Sequence, residues 1–189
     1  MPEEPTRRRR ADAARNVDML IDAARVVFER TSVDAPAKEI TDLAGVGVGT
    51  LYRHFPKRAD LVKAVVESGI DKIAELGPAL SAAHPPEEAL RRWIDAYTEF
   101  LGTKRGLAPA LHSGDPAFDG LAAYFLIRVG PALAELLDAA AAAGAIRSDV
   151  PADDLLQAIA HLCTPGPDPS FGPRMVHLLM DGLRYDRRG

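Results

Sequence analysis

Gly45-Val46-Gly47 divides one short stretch of this chain into two apolar segments, and no other feature limits the fold as sharply. Upstream, Ile40, Leu43 and Ala44 form a short apolar face. Downstream, Leu51 and Phe55 point inward from a second short segment, and Pro56 stops it. Pro36 suits the first turn of the upstream helix, where its missing N–H costs nothing. Two short helices joined by a three-residue, glycine-bearing turn are the outline of a helix-turn-helix. The rest of the chain agrees with a helical protein. Apolar residues are 47% of the 189, Ala and Leu are abundant, and alternating β-branched runs are almost absent. An all-α fold of about nine helices with a sizeable core is expected.

The flanking periodicities fill in the remaining helices. Val17, Leu20, Ile21, Ala24, Val27 and Phe28 mark one face of a helix over 11–31. Leu61, Val65, Ile73 and Leu76 mark the next, expected to begin near Lys57 or Arg58 and to fray or end at Gly77-Pro78. After the His84-Pro85-Pro86 linker, Leu90, Trp93, Ile94, Tyr97 and Leu101 share a side, with a break at Lys104-Arg105 and a short segment over 105–112. The longest helix is expected over 117–143, kinked or split at Gly130-Pro131 and closed by Gly144. Two more follow, one from Pro151 to Cys163 and one over 170–185.

Charge is unevenly shared. The chain is −4 overall, yet residues 1–63 hold 12 Lys/Arg against 10 Asp/Glu, and residues 64–189 hold 11 against 17. A mildly basic head on an acidic body suits a protein that sets one end against phosphate. Residues 1–10, with two prolines and Arg7 to Arg10, are expected to be a disordered basic arm that either touches DNA or is simply solvated. Cys163 is the only cysteine, which excludes an internal disulfide and two-cysteine metal or redox motifs. No uncharged apolar run of about 18 residues is present, so no membrane association is expected. The charged N-terminus lacks the apolar region of a secretory leader, and a cytoplasmic location is expected.

The run from Glu39 to Val62 closely resembles the signature of TetR/AcrR-family regulators. Ala44 through Phe55 follows the family's A-G-V-x-x-G-T-L-Y-x-H-F pattern nearly residue for residue. The clear match covers about residues 15–66. The later chain, with its Lys104-Arg105-Gly106-Leu107 break and closing Met180-Asp181-Gly182-Leu183-Arg184, is similar to the ligand-binding subclass of actinobacterial type. One position departs from the pattern. Thr41 stands where the family carries Ala between closely packed helices, and its hydroxyl can bond back to a backbone carbonyl. The resemblance implies a homodimer, a double-stranded DNA operator and a small-molecule ligand, with no cofactor.

The resemblance also implies roles for residues. Gly47, Val48 and Gly49 occupy the tip of the recognition helix but carry no bidentate base-reading group; Val48 suits a thymine methyl. Thr50, Tyr52 and His54 resemble the family's phosphate-clamping positions. Lys57 and Arg58 stand at the next helix start, where cations and free amides suit a phosphate, and Lys38 is placed for the same role. For the ligand, Trp93, Tyr97, Phe100, Leu111, His112, Tyr124, Phe125 and Arg128 are the candidates, Arg128 favouring an anionic group; core packing is the competing reading of the aromatic stripe. Leu155, Leu156, Ile159, Leu162, Met175, Leu179, Met180 and Leu183 supply the expected dimer surface, some of them necessarily buried in their own chain.

The expected organisation is an arm over 1–10, a helix-turn-helix domain over 11–56, and a ligand-binding and dimerisation domain over 57–189. The expected function is a repressor released from a near-palindromic operator when ligand shifts the helix that follows Pro56. An enzyme is disfavoured. No nucleophile–base pair or metal spacing is present, and Gly45 to Gly49 lacks the strand and lysine of a phosphate loop. A helical ligand-sensing protein without DNA binding is the remaining alternative.

Overall fold

The computed structural model describes residues 4–103, 107–164, 166 and 168–184, with side chains from Ala13 onward except at 103 and 108. Among these residues there are nine α-helices and no strand. They are α1 (Glu4–Arg30), α2 (Ala37–Ala44), α3 (Val48–His54), α4 (Arg58–Ala83), α5 (Pro86–Thr103), α6 (Ala108–Leu111), α7 (Leu121–Ala142), α8 (Ala152–Leu162) and α9 (Phe171–Leu183), with a 3₁₀ turn at Pro116–Phe118.

The chain divides into two compact units. The first comprises Met1–Ser68 with Gly106–Asp119, and the second Gly69–Arg105 with Gly120–Gly189. The division therefore falls inside α4 and not at Pro56. Its cause is that α4 runs unbroken past its first turns, so Leu61, Val62 and Val65 belong to the head core.

In the first unit, Leu20, Ala24, Val27 and Phe28 of α1 are buried together with Ile40, Leu51 and Phe55. The stripe foreseen on α1 is thus its core face. The helix itself begins at Glu4, not at 11. Arg7–Arg10 continue it in place of an irregular arm, as suits strong helix formers behind the acidic Glu4. Their side chains lie outside the described residues.

In the second unit, Trp93, Ile94 and Tyr97 of α5 meet Val129, Leu133 and Leu136 of α7 and Leu155, Leu156 and Ile159 of α8 in one core. Neither Pro78 nor Pro131 ends or splits its helix. Gly77-Pro78 does not end α4, which continues to Ala83, and Pro131 lies inside an undivided α7. A proline removes one N–H and crowds one turn; around Pro131 the burial of Val129, Ala132 and Leu133 outweighs that local cost, whereas Pro78 is itself exposed near the end of α4. The expected break at Lys104–Gly106 lies outside the described residues.

The stretch Pro116–Ala142 contains an 18-residue window of mean hydropathy 1.4, which is long and apolar enough by length and composition to cross a membrane. The average tolerates charged residues, and Arg128 interrupts the stretch, so no uncharged run of that length is present. Val129, Leu133, Leu136 and Ala140 of this helix are buried in the chain's own core, the usual origin of such a pattern in a core helix.

Candidate nucleic-acid interface

The turn between α2 and α3 is set by backbone chemistry. Gly45 adopts φ 67°, a left-handed conformation that glycine reaches without Cβ strain. Its N–H donates to the Asp42 carbonyl, and the Val46 N–H donates to the Thr41 carbonyl. This pair of bonds is a Schellman closure, and it satisfies two carbonyls left over at the end of α2. The chain then re-enters helix through extended Gly47, and the Phe55 N–H closes α3 on the Leu51 carbonyl. Leu51 and Phe55 are buried, so they fix which face of α3 turns outward.

Thr41, the departure from the family pattern, is 1% exposed. Its hydroxyl donates to the Lys38 carbonyl at 3.1 Å, one turn back. The foreseen back-bond thus lets a polar side chain sit in the packed interface between the helices with its hydrogen bond satisfied.

The outward face carries most of the residues singled out from sequence. Gly47, Val48 and Gly49 are exposed, Tyr52 is 54% exposed, and Thr50 and His54 are half-buried beside it. Lys57 is exposed just beyond. Arg53, between Tyr52 and His54, is exposed on the same helix and was not among the candidates. Its position is the variable x of the family pattern, so only its charge and the short α3 repeat could have suggested it.

Two cations depart from expectation. The Arg58 guanidinium donates to the Ala35 carbonyl and stands over the Phe28 ring. It braces the head from within, because a planar cation at the start of α4 meets an aromatic face before it meets solvent. Lys38 is exposed but ion-paired to Asp42 one turn on, at 2.6 Å. The start of α4 also differs. The Asp60 carboxylate accepts from the Lys57 backbone N–H at 3.0 Å, as in half of a capping box. An acidic side chain therefore occupies an amide that was expected to be open to phosphate.

Within the second unit, the ligand candidates separate into core rings and a polar group. Trp93 and Tyr97 are 0% and 1% exposed, with their polar atoms engaged. The indole N–H donates to the Ile73 carbonyl at 3.0 Å, and the Tyr97 hydroxyl donates to the Leu156 carbonyl at 3.4 Å. Tyr97 stacks between Trp93 and Phe125. Burial, with a smaller effect of nearby Cys163, pushes its phenol above the ordinary range. These rings are core. Phe100 lies against Gly69, and Tyr124 and Arg128 both reach Asp71. Leu111 and His112 belong to the other compact unit. Helical spacing places a ring on an inward face but does not distinguish a filled interior from a cavity.

The dimer candidates divide by burial. Leu155, Leu156, Ile159 and Leu183 are buried within the chain, which corrects their assignment to a subunit surface. They lie on the inward stripes of amphipathic helices, and Leu155 and Leu183 also form part of the floor of the groove between α8 and α9. Leu162, Met175, Leu179 and Met180 stay partly exposed. Phe171 and Leu178, which were not foreseen, are 49% and 63% exposed. Between α8 and α9 runs an open groove of about 580 Å³, lined by Ala158, Leu162, Met175, Leu178 and Leu179 and edged by Arg147 and Asp154.

Comparison with known proteins follows the same division of the chain. Residues 20–65 match the family described as bacterial regulatory proteins of the tetR family. Residues 85–185 match a C-terminal domain described as transcriptional regulator SbtR-like. The TetR transcriptional regulator SCO0520 of Streptomyces coelicolor is 36% identical, with a TM-score of 0.74 over 89% of this chain and 98% of that one. A TetR regulatory protein of Mycobacterium vanbaalenii is 35% identical, with a TM-score of 0.73 over 93% and 99% of the two chains. The transcriptional activator FasR of Mycolicibacterium smegmatis is 31% identical over 88 residues, which is 46% of this chain and 40% of that protein. The chain spans between 38% and 58% of the length of the curated relatives it matches. With both parts of the chain matched and an all-helical fold built around an N-terminal helix-turn-helix, the protein belongs to the TetR family of DNA-binding transcriptional regulators.

Proposed function

We propose that the protein is a homodimeric, ligand-responsive repressor that binds a near-palindromic operator. The observation that carries this reading is the outward face of α3, where exposed Val48 and Tyr52 lie beside Thr50, His54 and Lys57 on a helix held rigidly by buried Leu51 and Phe55. Hydroxyl, imidazole and ammonium groups suit phosphate oxygens, while Val48 and the flanking glycines permit close approach to base edges. Few of these groups read sequence, so affinity rests on backbone contacts and on two heads acting together.

The α8–α9 surface supports the dimer. Phe171, Leu178 and Leu179 and the adjoining groove offer apolar area that a second copy would cover as a two-fold bundle. Two heads about 34–36 Å apart would span one turn of DNA. Ligand binding in the second unit would act by preferring one placement of α4, the helix that begins in the head. Repression is the direction we propose, although one relative is named an activator.

Selection of sequences from random DNA, followed by gel shifts across a salt series, tests the operator. A dimer bound to a two-fold site, with affinity falling steeply as salt rises, is expected. A concentration-independent monomer in ultracentrifugation, or selection of non-repeated sites, would overturn it. A reporter gene placed behind the selected site separates repression from activation.

A further inference from the structure

Within the second unit, α4 is held against α7 at two points of different character. At one, α4 and α7 touch backbone-close: a Cβ added at Gly77 would lie 3.1 Å from the Ala132 Cβ. At the other, one carboxylate oxygen of Asp71 accepts both the Tyr124 hydroxyl and the Arg128 Nε–H, each at 2.8 Å. Tyr124, Arg128 and Ala132 follow one another at four-residue spacing, so they lie on one face of α7. The Asp71 contact stands six residues nearer the start of α4 than Gly77, or about 9 Å along the helix. On the α5 side, the Phe100 ring fills the space beside Gly69, where a Cβ would lie 2.5 Å from the ring edge.

We propose that Asp71, Tyr124 and Arg128 form a polar tie that positions α4, with the Gly77–Ala132 contact as its fulcrum. The steric contact is short-range and not exchangeable, and it fixes where α4 can pivot. The tie is half-exposed, so water can replace either side of it and another anion can replace the Asp71 carboxylate. Two donors on one acceptor hold α4 in azimuth as well as distance, which a single bond would not do. Because α4 is one helix from Arg58 to Ala83, the segment nearest the tie is continuous with its first turns. Asp71, Tyr124 and Arg128 are positioning residues for DNA binding and touch no DNA. This inference rests on the regulator reading above.

The test uses the full chain with Asp71→Ala, Arg128→Ala, the double variant, and Tyr124→Phe. Hydrogen exchange, which needs no DNA, is measured first. Each single alanine variant should speed exchange in residues 66–76 while the melting temperature stays within about 2 °C, since an exposed ion pair adds little to global stability. Affinity for the selected operator should fall about fivefold, the low end of ordinary coupling between sites. The double variant should lose no more than either single, and Tyr124→Phe should lose less. Unchanged exchange in 66–76 would overturn the tie. So would additive losses in the double variant, or affinity that tracks melting temperature alone. A wild-type protein that binds no selected DNA would defeat the regulator reading only, and the exchange measurement would still decide the tie.

Discussion

The guanidinium carbon of Arg58 stands 5.6 Å from the centroid of the Phe28 ring, and the same group donates to the carbonyl of Ala35. Phe28 is 1% exposed in the head core, and Ala35 immediately precedes the proline that opens α2. One side chain therefore joins the first turn of α4 to α1 and to the entrance of the helix-turn-helix. The residue expected to meet phosphate thus also sets how the three helices of the head meet one another.

Arg58→Ala should destabilise the protein by about 1–3 kcal/mol, the sum of a partly desolvated cation–π contact and a hydrogen bond to backbone. Arg58→Lys should recover only part of this, because an ammonium lacks the planar fork. Urea denaturation measures both. The salt dependence of operator binding should keep its slope in the alanine variant; a slope smaller by about one would assign Arg58 to phosphate after all.

Tyr52→Ala should behave in the opposite way. The ring is exposed on α3, so stability should change by no more than about 0.5 kcal/mol. Operator affinity should fall about tenfold, as for the loss of one phosphate contact. A gel shift at fixed salt showing equal affinity would remove Tyr52 from the interface.

Leu178→Asp tests the α8–α9 surface. The side chain is 63% exposed in the single chain, so the substitution should leave helical content unchanged. In a dimer it would bury a charge, and dissociation should strengthen by at least about tenfold in ultracentrifugation. A dimer of unaltered affinity would move the subunit contact elsewhere.

Glu88 gives a pH signature. Hydrogen bonds from Arg91 and then Arg92 hold its carboxyl down at about 2, from an ordinary 4.5. A depressed pKa means that the charged form is favoured in the folded state. The contribution is therefore complete above about pH 4.5 and is lost as pH falls toward 2. The melting temperature of Glu88→Gln should lie slightly below wild type at neutral pH and converge with it in strong acid. A gap that stays constant with pH would show that the arginine contacts are not electrostatic.

The head was legible in the sequence because its turn depends on backbone chemistry. Gly45 answers to a left-handed φ, and Pro56 answers to a helix stop. The same residue types misled at Gly77-Pro78. There the glycine serves the close approach of Ala132, and the proline is exposed in a helix that continues to Ala83. Periodicity put Trp93 and Tyr97 on an inward face but carried no information on what fills the space before them. On α8 and α9 it picked out buried Leu155, Leu156, Ile159 and Leu183 together with partly exposed Leu162, Met175, Leu179 and Met180, and it passed over the more exposed Phe171 and Leu178. Arg58 was read by its charge, whereas its partner Phe28 is thirty residues away and could be found only in three dimensions.

Trp93 is the only tryptophan in the chain, and its indole N–H is bonded to a carbonyl of α4 in a fully buried setting. The protein thus carries its own optical gauge of that helix. A displacement of α4 that breaks the bond to Ile73 would change the polarity around the indole and shift its emission, with no label and no mutation required. Candidate effectors can therefore be screened by fluorescence before the operator is known.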